Sequence, residues 1–153
     1  MPPLPTLAGA IDQIYTAMQE VIDTELGEGN ELETVKTVVL GDRATPAPRT
    51  PALWLFPQAA TNDGTTFGLR ETWTMPLSIV SLIVNTKPEE GYREANALAA
   101  QARKVVLSNR SLALPFVLDV ISVGFDPARQ NGIDNLIVYS AAAIVAVRFN
   151  SEG

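Results

Sequence analysis

The side chains that could do chemistry in this chain are carboxylates, amines, guanidiniums, phenols and hydroxyls, because the sequence contains no Cys and no His. Those two zeros remove Ser-His and Cys-His nucleophilic pairs, thiolate and imidazole metal sites, haem ligation and the usual near-neutral proton carrier. Acid–base catalysis would need two carboxylates held together in a partly dry site. The candidates are Asp42 beside Arg43, Glu71 inside an apolar strand pattern, and Asp126 or Asp134 in a polar stretch near the end, and none is spaced as a pair. Glu89 and Glu90 precede a helical pattern and read as first-turn acids favoured by the helix dipole. Asp126 to Asn135 carries oxygen donors but lacks the alternation and closing Glu of a calcium loop. Gly27-Glu-Gly-Asn30 lacks the further glycines and the Lys-Ser/Thr of a phosphate loop. These residues predict no catalytic site, no bound cofactor and no metal.

Charge points the same way. Eleven bases against seventeen acids give a net charge of -6, which opposes broad capture of nucleic acid or an anionic membrane. The distribution is uneven: through Glu33 the chain holds seven acids and no base, while the remainder holds ten acids and eleven bases. Arg103, Lys104 and Arg110 form a small basic group without the interleaved aromatics of a single-strand binder. The start, MPPLPTLAGA, has no basic region and is broken by prolines, so it does not read as a secretory signal. Apolar runs stop well short of the ~18 residues of a membrane span.

The elements that must position these groups follow from periodicity. Met1-Pro-Pro-Leu-Pro5 predicts an extended arm, with Thr6 as a cap. Leu7, Ile11, Ile14, Tyr15, Met18, Ile22 and Leu26 step by threes and fours, an amphipathic helix ending at Gly27. Val35 to Leu40 and Ala52 to Phe56 read as short strands, separated by a proline-rich connection over 41–51. A long loop is expected over 57–68, with Thr61-Asn-Asp-Gly64 as its turn signal. Leu69 to Val84 is the longest strand pattern, with Pro76 expected at an edge, bulge or bend. Glu90 to Ser108 reads as a second helix, with a narrow face of small residues. In Val117 to Phe125, Val117, Asp119, Ile121, Val123 and Phe125 should share one face. A polar loop over Asp126–Asn135 then leads to a last strand, Leu136 to Phe149.

With 153 residues, 46% apolar and 18% charged, the chain is the size of one domain, 1–153, able to bury roughly 68–70% of its unfolded surface. The predicted class is α+β: an antiparallel or mixed sheet with two helices on one face, in the order α-β-β-β-α-β-β. Trp54 and Trp73 read as core or interface anchors.

That order resembles the tail terminator and tail completion proteins of tailed bacteriophages, and more loosely the neck proteins that share their fold. The likeness is carried by the amphipathic first helix, the strand ending Val38-Val-Leu-Gly41, the hairpin of Ala52-Leu-Trp-Leu-Phe56 with Arg70 to Val84, the helix Tyr92 to Asn109, and the closing Val117 to Phe149 hairpin. The resemblance implies a non-enzymatic ring, typically hexameric, on the last tail-tube ring in the virion. Such a ring, assembled in the host cytoplasm, stops tube growth and presents a surface to neck or connector proteins. The alternatives are a head-side connector completion protein and a small ligand-binding domain. Candidate interface residues are Arg43, Arg49, Arg70, Trp73 and Arg129. Glu20, Asp23 and Glu25 are candidates for an acidic lumen or rim through which DNA passes without sticking.

Overall fold

The structure is a computed structural model, and it describes residues 3–41, 49–66, 70–133 and 136–152. The elements are α1 (Leu7–Thr24), β1 (Thr37–Leu40), β2 (Ala52–Pro57), β3 (Thr61–Thr66), β4 (Arg70–Val84), α2 (Pro88–Leu107), β5 (Val117–Ile133) and β6 (Leu136–Glu152). One sheet runs β1-β2-β4-β6-β5, with β3 pairing the first half of β4. β1 and β2 are parallel and the other pairs antiparallel. This is the α+β class, with a mixed sheet, expected from the sequence.

The N-terminal arm is tied down where it meets α1. Thr6 Oγ1 accepts from the Gly9 N–H at 3.1 Å, satisfying one orphan donor of the first turn, and the Pro5 carbonyl accepts from the Glu152 N–H at 2.9 Å. From there Ala10, Ile14, Ala17, Met18 and Ile22 form the buried stripe of α1. The helix ends at Thr24 rather than Gly27. Its stripe joins one core with Leu53 and Leu55 of β2, Met75, Leu77 and Ile79 of β4, and Val145 and Val147 of β6.

Helix α2 lies on the same sheet face, against β4, β6 and β5, and it lies close because its contact residues are small. A Cβ on Gly91 would meet the Tyr139 ring at 2.3 Å, so glycine is required there. Farther along, the fully buried Ser81 hydroxyl donates to the Ala95 carbonyl of α2 at 2.7 Å and accepts from the Ala141 N–H at 3.2 Å. That hydroxyl joins helix and sheet while leaving no buried polar group unpaired at this point. On the opposite sheet face Ala52, Leu82 and Val138 are buried, with Trp54 and Val80 packed against them. Half-buried Trp54 meets Phe56 edge-on at 5.4 Å.

Three expectations need correction. The 57–68 segment is not all loop, because Thr61–Thr66 is a strand. β2 ends at Pro57, opposite Leu77, so the first half of β4 would otherwise lack a partner on that side. Pro76 lies in a central strand, at neither edge nor bulge, and its register with β6 is continuous. Its carbonyl accepts from the Gln58 N–H at 2.9 Å, so its missing donor falls in the gap where β2 gives way to β3. Finally, the polar stretch from Asp126 is strand as far as Ile133, paired with β6.

Candidate assembly surface

β5 forms one edge of the sheet, and its register against β6 shifts three times, at Val117/Asp119, Ser122/Gly124 and Asp126/Arg129. Each shift inserts an extra residue that the partner strand does not match, and such bulges re-aim side chains. The expected single face of Val117, Asp119, Ile121, Val123 and Phe125 is therefore broken: Val117 and Val120 are buried in the core, while Val123 is 58% exposed. Leu118 and Val123, the two unmatched residues of the first two shifts, are the most exposed apolar side chains of β5, Leu118 at 50%. Ile121 and Phe125 are exposed beside them. Four of the seven large apolar residues that are exposed among the described residues thus lie on this strand.

Guanidiniums flank the same segment. Arg103 of α2 donates through Nε and Nη2 to Ser122 Oγ at 3.2 and 3.1 Å. Arg110 lies 3.9 Å from Asp119, and exposed Arg148 stands opposite Asp119 on β6. An exposed pair at that distance contributes little to stability. Three bases against one acid leave the first half of β5 basic.

The other charged surface is acidic and belongs to α1. Glu20 and Asp23 are exposed, and Glu25 is half-buried at the C-cap, where its Oε2 accepts from the Glu31 N–H at 3.5 Å. No base occupies the last turn of α1, so these acids face the negative end of the helix dipole. Local helix stability does not explain them. Beside them, shallow grooves of about 350 and 250 Å³ run between α1 and the 112–114 loop, and Asp12, Glu20 and Glu25 are among the residues that line them, with Val21, Ala113 and Leu114. Leu112 and Ala113 hold φ of 52° and 56°, in the left-handed region that side chains disfavour. Tyr15 of α1 has its phenol pushed above the usual range, by burial first and by the Asp12 charge second.

The sequence-predicted residues do not gather into one patch. Arg43, Asp42 and Asp134 lie outside the described residues. Arg49 is exposed shortly before β2. Arg70 opens β4 opposite Glu152 and lines a cleft of about 620 Å³ with Pro3, Pro5, Gln13 and Phe116. Trp73 packs on the core, and its Nε1 donates to Glu71 Oε2 at 3.2 Å. Arg129 is not in a hairpin loop but on β5, opposite Ser140. Measured along β6, the Arg70 and Arg129 positions are twelve residues apart, ~40 Å at ~3.4 Å per residue. Glu71 and Asp126, opposite Ser151 and Ala142, are by the same measure ~30 Å apart and make no catalytic pair. Among the described residues no acidic cluster is placed to hold a metal ion, and no helix is long and apolar enough to cross a membrane. No family model matches the chain, and no curated protein matches its sequence.

Proposed function

We propose that this chain is a structural virion protein, a tail terminator or tail completion protein that forms a ring on the end of a phage tail tube and joins the tail to the neck. The observation that carries this reading is the concentration of exposed apolar side chains on the edge strand β5. A patch of that kind on a small domain suits a protein partner. The order of helices and strands supports the same family. In this reading the protein works by contact rather than catalysis and needs no cofactor. Its partners are further copies of itself, the tail tube protein and the neck or connector proteins.

The acids of the first 33 residues suit a channel wall or rim, because like charge weakens binding to DNA phosphates. The test is polymerisation of tail tube protein with and without this protein. The expected result is short, capped tubes with a ring at one end; unchanged tube length overturns the reading. Binding to portal-side proteins without binding to tubes would assign the chain to the head side of the neck.

A further inference from the structure

The exposed edge strand has two possible uses for a neighbouring copy: its backbone could extend that copy's sheet, or its side chains could dock on a surface. Strand addition needs a continuous row of unpaired N–H and C=O groups. Three register shifts within β5 interrupt that row, and the first two leave Leu118 and Val123 as the unmatched, most exposed residues. Their effect is to blunt the backbone template while turning apolar side chains outward.

Charge complementarity selects the receiving surface. The apolar segment is flanked by Arg103, Arg110 and Arg148, with Asp119 beside Arg110 and Arg148. A fitting partner is apolar at its centre and acidic at its rim. The grooves between α1 and the 112–114 loop bring such groups together: half-buried Val21 and Leu114 and exposed Ala113 line them together with Asp12, Glu20 and Glu25. Lys104 of α2 stands 3.7 Å from Glu31 near by, but among the described residues no ion pair engages Asp12, Glu20 or Glu25.

We infer that the Leu118–Val123 segment of β5 docks by its side chains into the acid-lined α1 groove of a second copy of this chain. This rests on the proposed ring function and names its subunit contact. Because knob and groove are made of different residues of one subunit, the contact is heterologous, and its repetition forms a ring where the rotation closes. Asp12 and Glu20 are then subunit contacts, and Asp23 with the Glu28–Glu33 acids remains for the channel or rim.

The experiment is mass measurement by light scattering, with negative-stain imaging on tube ends, for wild type, a knob variant (Leu118→Glu with Val123→Glu), a groove variant (Asp12→Lys with Glu20→Lys), and a mixture of the two. All four positions are solvent-exposed, and circular dichroism checks that each variant is folded. A milder pair, Leu118→Ser with Val123→Ser, replaces the knob variant if that one unfolds. Wild type should form rings, and each variant alone should lose them. The mixture should yield a one-to-one heterodimer and nothing larger, since only one intact knob and one intact groove remain to meet. Rings from either variant overturn the docking inference while leaving the ring function standing. A heterodimer that fails to form, with wild-type rings intact, also overturns it. Wild type that stays monomeric both alone and on tubes overturns the ring function and this contact with it.

Discussion

β4 and β6 pair residue for residue from Arg70↔Glu152 to Val84↔Val138 without a shift, whereas β5 shifts three times against the same β6. Both pairings draw on Val, Ile, Leu and Phe. In the unbroken ladder, alternation delivers Met75, Leu77, Ile79 and Ile83 to the helices as a continuous buried row. In the broken one the same residue types change face at every bulge, and Leu118 and Val123 point to solvent. Register contributes to the outcome: the unbroken ladder buries a continuous row of apolar residues, and the two residues that the first shifts of β5 leave unmatched are its most exposed apolar side chains. The centre of the sheet therefore carries stability and its edge is left for contact.

That division predicts a graded set of outcomes. Leu77→Ala empties a fully buried position of β4 and should cost ~2–5 kcal/mol by urea denaturation. A loss no larger than that of a surface change would undo the claim that the central ladder holds the fold. Gly91→Ala drives a methyl into the Tyr139 ring and should cost ~1–3 kcal/mol, with the near-ultraviolet signal of the Tyr92–Tyr139 pair altered. Removing the α1 cap with Thr6→Ala should cost ~1 kcal/mol in the same assay. Leu118→Ser should move monomer stability by no more than ~0.5 kcal/mol while weakening assembly, which separates the edge from the core.

The smallest effect concerns Tyr15. Its phenol titrates higher in the folded chain than in the unfolded one, so folding favours the neutral form. That contribution is complete below the ordinary tyrosine value near ~10 and is lost as pH rises from there through the folded value. Tyr15→Phe should flatten the fall in stability over that alkaline range, as followed by thermal melts between neutral and alkaline pH.

Much of this architecture was legible in the sequence, and the illegible parts share a cause. Three- and four-residue steps located α1 and α2, and alternation located β4, because each presents one face to a core. Ala141-Ala-Ala143 is strand, as its β-rich flanks required, with Ala141 and Ala143 buried under the helices. β3 escaped because Thr-Asn-Asp-Gly-Thr-Thr carries no apolar period; it is a strand because β4 continues past the end of β2. The Asp126–Ile133 half of β5 escaped for the same reason, since Asp126 to Gly132 are exposed except for Ala128 and carry no apolar alternation. The edge patch was invisible in a different way. Leu118 and Val123 look like ordinary members of an alternating strand, and only the pairing with β6 shows that each is one residue too many. The acidic surface of α1, by contrast, was plain from charge spacing alone.

Backbone amide hydrogen exchange, compared between dilute monomer and assembled protein, tests the division of the sheet most directly. The account predicts that β4 and β6 are already slow in the monomer and change little. The Leu118–Val123 segment of β5 and the Asp12–Glu25 face of α1 should become protected together on assembly. Assembly that protects neither segment, or protects the β4–β6 ladder instead, would contradict it.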